Sequence, residues 1–221
     1  MWIKICGNTN LEDALVAAEV GADAIGFVFA ESPRRVTMEQ VRTITPHLPE
    51  TLEKYGVFVN WDFEQIVRAV EKGGLTGVQL HASRDPLLAP KLRERFGDAL
   101  KILRVIHYAG DLGAQLKAAQ ADLSIDGVLV DSRTATMVGG TGIQFNWQTA
   151  RRSFRESQLR LVAAGGLSPE NVAAAVHTLQ PWGVDVSSGV ESAPGKKNPF
   201  RVKAFVNSAK AAADEITASP R

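Results

Sequence analysis

The 221-residue chain has a single cysteine, so no internal disulfide can form, and no clustered Cys/His spacing suggests a zinc site. No window approaches the roughly 20 apolar residues that a membrane span needs. The opening residues, MWIKICGNTN, lack the long apolar stretch of a secretory signal, which leaves a cytoplasmic location as the default expectation. Neither sign of charge prevails. With 25 Lys and Arg against 24 Asp and Glu, nothing global attracts nucleic acid or an anionic membrane. Any anion this protein binds must be held by a local site.

What is present is an ordinary globular composition, 45% hydrophobic and 22% charged, long enough to bury one large core. Short β-rich runs alternate with amphipathic segments along its whole length. The strands read as WIKIC (2–6), AIGFVF (24–29), YGVFV (55–59), GVQLH (77–81), ALKILRVI (99–106), GVLVDS (127–132), LRLVAAGG (159–166) and VDVSSG (184–189). Between them, helices are expected over 11–21, from Thr37 as cap to before Pro46, over 62–72 and over about 111–120. Others are expected with Pro86 in the first turn, from near Asn146, from Ser168 as cap with Pro169 in the first turn, and after Asn198-Pro199. The final AAADEITASPR is expected to fray.

Eight βα units with no composition break predict a single-domain (β/α)8 barrel over residues 1–221. An open doubly wound sheet is the alternative, but the first turn has no GxGxxG.

In such a barrel the active site lies at the C-terminal ends of the strands. Alternation along the first strand puts Ile3 and Ile5 on one face and Lys4 and Cys6 on the other. The outer face needs apolar cover against helices, so Lys4 and Cys6 point inward, with Cys6 at the mouth. The same reading turns Gln79, His81, Arg104 and Asp185 inward and ends the sixth strand at Asp131. Strands eight and one adjoin in a closed barrel, and buried charges need partners, so Lys4 and Asp185 are expected to pair. A lone cysteine is ordinarily a small packing residue, and an aspartate at a strand end is ordinarily a cap. Position makes Cys6 a candidate proton acceptor and Asp131 a candidate acid.

Gly165-Gly166 directly follow the seventh strand, and Ser187, Ser188 and Gly189 follow the eighth. Loops seven and eight are the usual phosphate site of this barrel class, and a short helix there would aim its N–H groups at the anion. Arg34, in ESPRR (31–35), is a candidate fork for a carboxylate. The glycines of MVGGTG (137–142), Gly140 among them, allow either a lid or a plain flexible loop.

Taken together, KICG (4–7), GFVF…SPR (26–34), GVFVN (56–60), VQLH (78–81), LVDS…GGTG (129–142), AGGLSPENV (164–172) and VDVSSGVE…GKK (184–197) resemble phosphoribosylanthranilate isomerase. The order is collinear over nearly the whole chain. The resemblance implies an aldose–ketose rearrangement in tryptophan biosynthesis, with Cys6 as general base and Asp131 as general acid. It gives Arg34 the anthranilate carboxylate, and the loops Gly165-Gly166 and Ser187-Ser188-Gly189 the phosphate. Lys4, Gln79, His81, Gly140 and Asp185 are expected to support the site. It implies a small phosphorylated substrate, no metal or organic cofactor, and a monomer or homodimer. Ala82, Asn146 and Asn198 stand where the pattern usually has Gly, Asp and Asp. An indole-glycerol-phosphate synthase-like lyase is the alternative, although its strand ends carry lysine and glutamate where this chain has Cys6.

Overall fold

Strand parity closes the chain on itself. In the computed structural model, which describes residues 1–83, 85–108, 111–132 and 146–218, eight parallel strands form a closed barrel. They are β1 (Trp2–Ile5), β2 (Ala24–Val28), β3 (Glu53–Val59), β4 (Gly77–Ala82), β5 (Lys101–His107), β6 (Gly127–Asp131), β7 (Leu161–Ala164) and β8 (Gly183–Val186). The seam between β1 and β8 aligns Lys4 with Asp185. Each strand is followed by a helix: α1 (Leu11–Glu19), α2 (Met38–Ile44), α3 (Phe63–Gly73), α4 (Leu88–Phe96), α5 (Leu112–Gln120), α6 (Trp147–Glu156), α7 (Val172–Leu179) and α8 (Pro199–Ala218). A small hairpin, β9 (Glu191–Ala193) and β10 (Lys196–Lys197), sits between β8 and α8. Among the described residues no helix is long and apolar enough to cross a membrane.

Local chemistry explains most helix starts. Asn10, Thr37, Asp62, Asp111 and Asn146 each accept a backbone N–H of the first turn, an interaction worth about 1 kcal/mol per cap. Asn146 and Asn198 thus cap as aspartate would, Asn198 through the N–H groups of Phe200 and Arg201. Three expectations are corrected. Pro86 lies in a turn ahead of α4, and Ser168-Pro169 form a turn closed onto Asn171 before α7 begins. The C-terminal stretch stays helical through Ala218, because Ala209 and Ala212 are buried against the barrel.

Two apolar layers result. Ile3, Ile5, Ile25, Val78 and Ile102 face the helices, while Trp2, Ala24, Tyr55, Leu103, Val105, Leu129, Val162 and Ala164 fill the interior. Trp2 stacks on Trp182 at 5.1 Å and meets Tyr55 edge-on at 5.8 Å, closing the N-terminal end of the barrel. Aromatic rings plug the bottom, so the polar side chains collect above them.

Candidate active site

Above the plug, Lys4 is fully buried and donates to Asp185 Oδ1 at 2.7 Å and to Gln79 Oε1 at 2.9 Å. The pair is the one strand parity calls for. Burial opposes the ammonium charge, but Asp185 and then Cys6 together override it and raise the Lys4 pKa. Losing one partner would strand the other charge at a cost of about 3–5 kcal/mol. The ammonium also fixes the Gln79 amide: its oxygen faces Lys4, so its nitrogen donates to His81 Nε2 at 2.9 Å. A chain of contacts therefore runs from the seam to the β4 end and places the His81 proton on Nδ1.

Cys6 continues β1 into the mouth and is 6% exposed. Its backbone is tied to β8 through Val186 O at 2.8 Å. The thiol occupies space left open by Gly26 on β2: a Cβ there would lie 2.7 Å from Sγ and 3.2 Å from Lys4 Cε. Burial pushes the thiol pKa up. Lys4 and Lys197 pull it down without cancelling that effect.

Three strands round, Asp131 is 1% exposed at the end of β6. Gly165 of the β7 loop, at φ +83°, lies so close that a Cβ would collide with the Asp131 carboxylate and the Ser132 hydroxyl. Acid and base candidates each occupy a slot that a neighbouring glycine leaves open.

Arg104 is a correction. On β5 it is Leu103 and Val105 that enter the barrel, while Arg104 turns outward with Ile102 and Ile106 and pairs with Asp122. His107 consequently takes the inward place at the β5 end, in register with Asp131 and with its ring 5.8 Å from that of His81. Its Nδ1 is buried with no hydrogen-bond partner. The apolar run KILRVI carries no polar marker of its inner face, and His107 lies one residue past the strand end read from sequence.

The phosphate-type loops assemble at the same mouth. Gly165 and Gly166 take left-handed φ of +83° and +66°, and Asn171 locks the turn by donating to Gly166 O and accepting from Ser168 N–H. After β8, Ser188–Val190 form one 3-10 turn, the short helix expected there, with Ser187 half-buried and Ser188 exposed. Gly140 and the rest of loop 137–142 lie outside the described residues.

Arg34 is buried, not solvated. Its Nε and Nη2 fork onto Glu191 at 2.7 Å each. Lys197, fully buried, donates to the same carboxylate at 3.0 Å, to Cys6 O at 2.5 Å and to Ser187 O at 3.3 Å. Burial would raise the Glu191 pKa, yet the two cations hold it low. Burial also lowers the Lys197 pKa against the pull of Glu191. Both residues close the halves of the VDVSSGVE…GKK segment, but neither has a role legible in sequence, since no periodicity marks them as buried.

A closed parallel barrel with titratable groups and glycine-rich turns gathered at its C-terminal mouth has the build of a (β/α)8-barrel enzyme. Residues 3–208 match the family model described as N-(5'-phosphoribosyl)anthranilate (PRA) isomerase. A relative of that name from Rubrobacter xylanophilus is 44% identical over 209 residues, covering 94% of this chain and 98% of its own. The crystal structure of phosphoribosyl anthranilate isomerase from Thermotoga maritima superposes with a TM-score of 0.83 at 37% identity, covering 96% and 99% of the two chains. A solved phosphoribosyl anthranilate isomerase in complex with reduced 1-(o-carboxyphenylamino)-1-deoxyribulose 5-phosphate superposes with a TM-score of 0.80 at 36% identity and the same coverage. The chain belongs to the phosphoribosylanthranilate isomerase family and is an isomerase, which sets the lyase alternative aside.

Proposed function

We propose that this chain converts N-(5'-phosphoribosyl)anthranilate to 1-(o-carboxyphenylamino)-1-deoxyribulose 5-phosphate, with Asp131 as general acid and Cys6 as general base. The observation that carries the assignment of roles is the pair of glycine-opened slots at one mouth, holding a carboxyl and a thiol on different strands of one barrel. A solved relative holding a reduced form of that product supports the substrate class.

The chemistry needs both groups in turn. Asp131 gives its proton to the ribose ring oxygen as the C1'–O bond breaks and the nitrogen lone pair forms an iminium. Cys6, as thiolate, takes the C2' proton, and the released electron pair forms the C1'–C2' double bond and neutralises the nitrogen. The enolamine then becomes the ketone as C1' gains a proton and the C2' hydroxyl loses one. The substrate's own nitrogen is the electron sink. The reactive form of the enzyme therefore carries one proton on Asp131 and none on Cys6.

The phosphate is assigned to the Gly165-Gly166 turn and to Ser187, Ser188 and Gly189, whose loops have the backbone form that suits a dianion. The aryl carboxylate is assigned to Arg34, while Lys4, Gln79, His81 and Asp185 hold the inner wall. A fluorescence assay following loss of anthranilate ribonucleotide by the purified protein tests the whole reading. Absence of turnover there would overturn it.

Two variants probe single parts. Arg34→Ala is expected to raise KM for the natural substrate about tenfold or more, and to leave an aniline ribonucleotide lacking the carboxylate nearly unaffected. An equal loss on both substrates would remove Arg34 from the clamp. Gly26→Ala is expected to lower kcat by up to about 100-fold and to cost about 1–3 kcal/mol of stability, because the added methyl crowds Sγ, the Cys6 backbone and Lys4. Unchanged turnover would show that the thiol's position is not critical.

A further inference from the structure

The binding arginine is not a free side chain waiting for an anion; it is already held by the protein's own carboxylate. An arginine has five N–H donors. Glu191 takes two of them, from Nε and Nη2, which leaves the end-on edge formed by Nη1 and the second Nη2 hydrogen. That edge has the geometry that pairs with a planar carboxylate through two parallel bonds. A guanidinium on a long, rotatable stem binds this way at lower entropic cost when its plane is fixed beforehand, and Glu191 holds it by two bonds.

The charges in this corner point the same way. Arg34 and Lys197 share one carboxylate, so the cluster keeps one positive charge in excess while its side chains are 10%, 0% and 5% exposed. Lys197 spends its three N–H groups on Glu191, Cys6 O and Ser187 O, so the excess falls to the outer edge of Arg34. A buried, half-compensated cation is costly alone and is relieved by an incoming anion. The same lysine joins the end of the Cys6 strand to the loop after β8. Glu191 therefore ties the Arg34 loop to Lys197, and Lys197 in turn holds the Cys6 strand end and the Ser187 turn.

We infer that Glu191 is a positioning residue that sets selectivity for a substrate bearing an aryl carboxylate, acting through Arg34. The inference rests on the assignment of Arg34 to that carboxylate, and the experiment separates the two. KM and kcat are measured for the anthranilate ribonucleotide and for the aniline ribonucleotide, using Glu191→Ala, Glu191→Gln, Arg34→Ala and the double variant Glu191→Ala/Arg34→Ala. Glu191→Ala is expected to raise KM for the carboxylated substrate about tenfold, the scale of one lost charge-assisted contact, with a smaller change in kcat. KM for the aniline substrate is expected to stay close to its original value. Glu191→Gln recovers part of the loss, because its amide oxygen still accepts one Arg34 N–H. The double variant is no worse than Arg34→Ala alone, the non-additivity expected of residues acting as one unit.

Equal losses on both substrates, or additive losses in the double variant, would make Glu191 a structural ion-pair residue and overturn the inference. If Arg34→Ala discriminates the substrates and neither Glu191 variant does, only the positioning role falls. If Arg34→Ala fails to discriminate, the clamp falls and the inference with it. Should the alanine variant not fold, Glu191→Gln carries the test through the same KM difference.

Discussion

Cys6→Ala is expected to lower kcat by about 10²–10⁴-fold, the range for a positioned general base, while the barrel stays folded. The fold survives because Lys4, although it also interacts with the thiol, keeps its two oxygen partners, Asp185 and Gln79. Cys6→Ser separates chemistry from packing. A hydroxyl fills nearly the same space but is a far weaker acid than a thiol, so its anion is not available and turnover should match that of the alanine variant. A serine enzyme with near-normal kcat would overturn the base assignment. The pH dependence follows from the proton count. In the proposed mechanism the active form holds one proton between Cys6 and Asp131, so activity falls once that proton is lost. The alkaline fall is loss of the last proton, held at least as tightly as the thiol alone would hold it. Burial pushes that thiol up, so kcat/KM is expected to persist above the ordinary thiol value of about 8.5 before it drops. A fall beginning near neutrality would contradict this.

The parts that were readable beforehand are those written in period and punctuation. Alternation placed Lys4 and Cys6 together, and barrel closure then demanded a partner on the neighbouring strand, which is Asp185. Of the glycines after β7 and β8, Gly165 and Gly166 take positive φ, whereas Gly189 is required by the close approach of Leu167 O. What was not readable depends on distance in three dimensions. Arg104 sits in a run where every neighbour is apolar, so its face is decided by Asp122 on the loop before β6, a partner 18 residues away that no alternation encodes. Glu191 and Lys197 carry no mark of burial in sequence because hairpin pairing, not periodicity, buries them. Gly26 is one glycine among many until Sγ is seen against it. Ser168 carries a cap signal, yet the turn it opens is used to hold Gly166 through Asn171 before α7 starts.

Asp131→Asn is expected to lose about 10²–10⁴-fold in kcat with KM nearly unchanged, since the amide keeps the shape of the carboxyl but has no acidic proton for the ring oxygen. Asparagine at 131 adds no heavy atom, so the close approach of Gly165 leaves room for it. The two catalytic variants should also fail at different steps. Cys6→Ala retains the acid, so it still opens the ribose ring, and enzyme-accelerated interconversion of the substrate's anomers remains visible by NMR. Asp131→Asn does not open the ring, so that exchange disappears together with turnover. Because ring opening precedes proton abstraction, the double variant should be little worse than Asp131→Asn alone. Retained anomer exchange in Asp131→Asn would assign the acid to another group at the mouth. His107 is then the next to examine: it faces inward beside Asp131 and has a buried, unpartnered ring nitrogen.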